Sequence, residues 1–171
     1  EGNAGSITVR STGLLSILNY GEISSNTFGK GDAGTVSVES GNLLVDGERS
    51  SISSSSNREQ SGNVGSVIVI VKHNIQIANG GSLNISNDSS AELLNTNNSP
   101  EINITTSGLE LINGGEISAA STGTNAASNI FINSQSLSLE GESRITTSAN
   151  AGNGGAITLN GSDYIFLQDS Q

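Results

Sequence analysis

The stretch Ile102-Asn103-Ile104-Thr105-Thr106-Ser107-Gly108-Leu109-Glu110-Leu111-Ile112-Asn113-Gly114-Gly115-Glu116-Ile117-Ser118-Ala119 decides the fold. Ile102 and Ile104 flank a polar residue, as do Leu109 and Leu111, and Ile117 follows a Gly-Gly corner. A period of two puts both aliphatics of each pair on one face of a strand and the residue between them on the other. Three such short strands lie close together, with no room for a crossover helix.

The same phrase recurs along the chain. Its first aliphatic is Ile7, Val36, Val67, Ile102, Ile130 and Ile157, at intervals of about 27 to 35 residues. Val9, Val38, Val69, Ile104, Ile132 and Leu159 follow two places later. The second strand carries Leu15 and Ile17, Leu43 and Val45, Ile75 and Ile77, Leu109 and Leu111, Leu137 and Leu139, and in the last copy Tyr164 and Phe166. The third is marked by Ile23, Ile52, Leu83, Ile117 and Ile145. Asp46-Gly47, Asn79-Gly80-Gly81 and Asn113-Gly114-Gly115 supply the positive φ angles that tight corners need.

A fixed period of this length signals a solenoid. Three short strands per turn and parallel pairing of successive turns make an all-β parallel β-helix. Residues 1–171 then form a single repeat domain, a rod of about 5.5 rungs and about 26 Å in length.

Composition agrees with that architecture. Of 171 residues, 33% are hydrophobic and only 3% aromatic, too few for a globular core but enough for stacked single aliphatics. There is no Cys for a disulfide or thiolate metal site, and no cofactor is expected. With no Met, no leader and no long apolar run, the chain reads as a segment of a longer protein without membrane insertion. A net charge of −10 disfavours nucleic acid and anionic membranes as partners.

An Asn/Asp column recurs four places before the anchors, at Asn3, Asp32, Asn63, Asn98 and Asn153, with Ala126 in its place in the fifth copy. It reads as a structural ladder of stacked side chains. The longest copy carries extra polar residues between Leu83 and Ile102, and insertions of this kind map to surface loops. Asn87, Asp88, Glu92, Asn95 and Asn97 are therefore the candidate partner-binding loop. Ser53 to Ser61 reads as a second loop.

Other motifs have plainer readings. Gly29-Lys30-Gly31-Asp32-Ala33-Gly34 matches a dinucleotide fingerprint, but a strand follows it where a helix is required, so it reads as a Gly-rich corner. His73 lies in a turn, and no nucleophile elbow accompanies it. The acids Glu22, Glu48, Glu116 and Glu142 fall at differing offsets, whereas a glycosidase needs a facing pair. Glu116 and Arg144 should meet as a cross-rung ion pair. The Ser and Thr of the third strands, including Ser24, Ser25, Thr27, Ser53, Ser54, Ser118, Thr146 and Thr147, read as a solvated face.

Gly2-Asn3-Ala4-Gly5-Ser6-Ile7-Thr8-Val9, Gly31-Asp32-Ala33-Gly34-Thr35-Val36-Ser37-Val38 and Asn113-Gly114-Gly115-Glu116-Ile117-Ser118 resemble the passenger repeats of filamentous-haemagglutinin-like exoproteins, in the style of cyanobacterial members. The resemblance covers nearly the whole chain. It implies right-handed winding, two-partner secretion and a place at the outer surface of a Gram-negative bacterium. It also implies a non-enzymatic, structural or adhesive role, with a cell-surface glycan or protein, or end-to-end self-association, as the contact. The family's secretion domain, with its Asn-Pro-Asn-Gly motif, is absent from these residues. The alternative on the same fold is a protein that binds or cleaves polysaccharide.

Overall fold

In the structure, a computed structural model, residues 2–90 and 99–171 are described. Among them there is no helix, and so none long and apolar enough to cross a membrane. The first rung consists of β1 (Ile7–Arg10), β2 (Leu14–Leu18) and β3 (Glu22–Thr27), and the second of β4 (Val36–Ser40), β5 (Asn42–Asp46) and β6 (Ser51–Ser56). The third contains β7 (Val67–Val71), β8 (Asn74–Ala78) and β9 (Ser82–Asn87), and the fourth β10 (Glu101–Thr105), β11 (Gly108–Ile112) and β12 (Glu116–Ser121). The fifth has β13 (Asn129–Glu140) and β14 (Arg144–Ala149), and β15 (Ile157–Gln168) opens the sixth.

Every strand pairs in parallel with its counterpart one rung away. First strands stack in the order β1, β4, β7, β10 and β13, and second strands in the order β2, β5, β8, β11 and β13. The third strands form their own sheet, β3-β6-β9-β12-β14. The anchors align as expected, with Ile7 on Val36, Val36 on Val67, Val67 on Ile102, Ile102 on Ile130 and Ile130 on Ile157. Val36, Val67, Ile102 and Ile130 are completely shielded from solvent. In the inner rungs each inward aliphatic thus lies between its equivalents above and below, and full burial of one such side chain is worth about 1.5–3 kcal/mol.

The last two rungs differ from the three-strand pattern. In each, the first two strands run on as one twelve-residue strand, with a register irregularity between Ser134 and Ser136. Ser134 pairs with Gly161, but Ser136 pairs with Tyr164, so β15 holds one more residue than β13 across this bend. The extra residue inverts the alternation beyond it. Ile165 and Leu167 therefore stack on the inward Leu137 and Leu139, while Tyr164 and Phe166 stack on the outward Ser136 and Ser138. This corrects the sequence-based placement of Tyr164 and Phe166 in the core.

The segment from Ser53 is likewise strand rather than loop up to Ser56, and all six residues of β6 are buried. The solvated Ser/Thr face is also only half correct. Ser25, Thr27 and Ser54 turn inward, each at most 5% exposed. Ser25 Oγ donates to the Gly5 carbonyl and accepts the Gly34 N–H, both at 2.9 Å. Ser54 Oγ does the same one rung on, donating to the Gly34 carbonyl at 3.1 Å and accepting from Gly65 N–H at 2.9 Å. These serines supply partners to corner backbone groups that face the core and have no water to bond.

Candidate functional site

Cross-rung register puts outward side chains in rows along the rod. On the second-strand face, one row reads Leu14, Asn42, Asn74, Gly108, Ser136 and Tyr164. The next reads Leu44, Gln76, Glu110 and Ser138. Gly108 sits at the centre of the first row, where a Cβ would lie 2.6 Å from Asn74 Oδ1 and 3.4 Å from Ser136 Oγ. The missing side chain leaves a depression between its larger neighbours. The result is a groove of about 660 Å3. It runs from Leu14 to Tyr164 and crosses every rung, about 24 Å at the usual strand spacing.

Hydrogen bonds fix the groove's polar lining. Gln76 Nε2 donates to Glu110 Oε2 at 2.5 Å, and Ser138 Oγ donates to Glu140 Oε1 at 2.8 Å. Asn74 N–H donates to Asn42 Oδ1 at 3.3 Å. Glu110 pairs with Ser138, so Glu140 lies one rung up and two residues along, about 8 Å away at the backbone. Both carboxylates line the groove, and no Lys or Arg does. Composition and short motifs do not point to this site. Its signal lies in the residues between the aliphatics, which become legible only once the register of every rung is known.

The Asn/Asp column bonds differently from a side-chain ladder. Asn3 Oδ1 accepts the Asp32 backbone N–H at 3.0 Å, and Asp32 Oδ1 accepts that of Asn63 at 2.8 Å. At these two positions the column ties the side chain to the next rung's backbone, whose corner amide it satisfies. Asn153 contributes its backbone carbonyl, which accepts from Ala127 N–H at 2.9 Å, and Asn98 lies outside the described residues. The true amide ladder is at the second corner. Asn79 Nδ2 donates to Asp46 Oδ1 at 2.7 Å, and Asn113 Nδ2 donates to Asn79 Oδ1 at 3.4 Å. These are the turn residues read from the sequence, and Asn79, Gly80, Asn113 and Gly114 all have positive φ, of 52°, 81°, 50° and 79°.

Of the candidate partner loop, Glu92, Asn95 and Asn97 lie outside the described residues. Asn87 ends β9 and is 5% exposed, its Oδ1 accepting the Ser89 N–H at 3.0 Å. It closes a turn inside the rod rather than presenting itself on a surface loop. Asp88 accepts from Thr122 Oγ1 in the next rung at 2.6 Å.

The outward acids named from sequence do not converge. Glu22 and Glu116 share a row but are separated by Ser51 and Ser82, about 14 Å at the strand spacing. Glu116 is engaged by Arg144 at 3.0 Å, the pair that register predicts. At that exposure the bridge contributes less than about 1 kcal/mol. A second pair, Arg10 with Glu39, is held by two hydrogen bonds of 3.0 and 3.1 Å, which raise the guanidinium pKa above its ordinary value. It was readable in principle, since the two residues are cross-rung partners.

The dinucleotide-like Gly29–Gly34 segment is a stacked corner. A Cβ on Gly31 would lie 2.2 Å from the Gly2 carbonyl oxygen, and one on Gly34 would lie 2.4 Å from that of Gly5. His73 is exposed, and its carbonyl accepts from the N–H groups of Ser107 and Gly108. Among the described residues no three His, Asp or Glu gather where they could hold a metal ion.

No family model, no curated protein and no solved structure matches this chain.

Proposed function

We propose that the chain is a non-enzymatic, structural and adhesive rod segment of an exoprotein exported by two-partner secretion to the outer surface of a Gram-negative bacterium. The observation that carries this reading is the unbroken stacking of aliphatic columns from Ile7 to Ile157. Such a core makes length cheap to extend, because each rung needs contacts only with its neighbours. The resemblance of the Gly2–Val9, Gly31–Val38 and Asn113–Ser118 phrases to filamentous-haemagglutinin-like repeats supplies the setting. The test is antibody labelling of the producing cells before and after lysis, with surface attachment measured when the segment is deleted. Labelling of intact cells and weakened attachment are expected. Labelling only after lysis would end the surface assignment.

A second reading, cleavage of polysaccharide, is favoured by one observation: Glu110 and Glu140 lie in the same groove. Their backbones lie about 8 Å apart by register, so the two side chains can reach the same sugar unit, and a hydrolase needs two carboxyl groups flanking one glycosidic bond. A reducing-end assay on neutral and acidic polysaccharides decides this. No turnover is expected, whereas turnover abolished by Glu110→Gln would establish the enzyme.

A further inference from the structure

We propose that the second-strand groove is a binding site for a polysaccharide strand free of acidic groups, lying along the rod axis. This rests on the adhesive reading and names the contact that would carry it.

The ligand class follows from what the groove offers. Asn42, Asn74 and Gln76 present both donors and acceptors, and Glu110 and Glu140 present acceptors. A ligand satisfying this set must itself carry many groups that both donate and accept, as hydroxyls do. An apolar ligand would leave these amides and carboxylates desolvated and unpaired. An anionic one would meet two carboxylates with no cation in the lining. Leu14, Leu44 and Tyr164 add the apolar patches on which the C–H faces of sugar rings rest, and Tyr164 is 55% exposed.

Geometry disfavours a peptide. The N–H and C=O groups of β5, β8 and β11 are already used in cross-rung pairing, so no added strand can bond there. A ligand in this groove is read by side chains alone, in rows repeating every rung. An extended chain of similar units suits a surface that repeats along the same direction.

The experiment titrates the 171-residue chain with cellohexaose, a glucosamine hexamer and hexagalacturonate by calorimetry. Gln76→Ala and Tyr164→Ala serve as variants, since both side chains face outward, and unchanged melting would confirm their folding. The neutral and amino hexamers should bind with Kd of about 1 mM or tighter, and each variant should weaken them about tenfold. Hexagalacturonate should not bind. Absence of binding by both non-acidic hexamers, affinity unchanged in both variants, or preference for hexagalacturonate would each overturn the site. Beads coated with the chain separate this from the broader reading. Attachment to cells that survives both substitutions keeps adhesion but removes the groove, whereas no attachment by the parent chain removes adhesion itself.

Discussion

Ile104→Asp is expected to unfold the rod, whereas Thr105→Asp, one residue along, is expected to leave it intact. Ile104 is fully buried and stacks between Val69 and Ile132. Truncating such a side chain costs about 2–5 kcal/mol before any charge is considered. A carboxylate there has no cation within the aliphatic column, so it must remain desolvated or take up a proton at further cost. The total matches or exceeds the roughly 5–15 kcal/mol that holds an ordinary domain together. Thr105 is exposed on the opposite face, where substitutions stay within about 0.5 kcal/mol. Circular dichroism melting distinguishes the two. A folded Ile104→Asp protein with near-parental melting temperature would mean that the inward assignment of this strand is wrong.

The aliphatic pairs made the fold legible because a parallel rung repeats its own address. Once Ile7, Val36, Val67, Ile102, Ile130 and Ile157 are aligned, every cross-rung contact follows by counting. Counting fails where a rung gains a residue between its strands. Repeat position alone puts Tyr164 and Phe166 in the inward places of the last copy, but the added residue in β15 brings Ile165 and Leu167 onto the inward Leu137 and Leu139 column instead, where, on the last rung, both stay exposed. Polarity misled in the opposite direction at Ser25 and Ser54. A serine reads as surface, yet these two sit inside because corner glycines bring backbone amides into the core. The groove was hidden for a third reason. Asn74, Gln76, Glu110 and Ser138 are ordinary polar residues in sequence, and only stacking makes them neighbours.

Gly65→Ala is expected to destabilise the rod by about 3 kcal/mol, at the upper end of what overpacking a core costs. The same substitution at Gly5 should instead stabilise it by about 0.4–1 kcal/mol. Both glycines occupy the same place in the repeat, two residues before the inward aliphatic that starts the rung's first strand (Ile7 and Val67), and Gly34 lies between them in the column. A Cβ on Gly65 would sit 2.2 Å from the Gly34 carbonyl oxygen and 2.4 Å from its carbon. Both obstacles are backbone, so no rotamer change relieves them, and the two rungs must part. Parting them also weakens the Gly65 N–H bond to Ser54 Oγ, leaving a buried donor short of its partner. Around Gly5 nothing lies within 4 Å, because no rung stacks against that side of it here. Alanine there only narrows the unfolded ensemble. The opposite signs separate stacking from intrinsic backbone preference, which would move both positions the same way. Equal effects at Gly5 and Gly65 in thermal melts would refute the stacked corner. Grafting a further rung onto the Gly5 side should then turn the gain from Gly5→Ala into a loss, since the added rung's carbonyl would occupy the space that is now open.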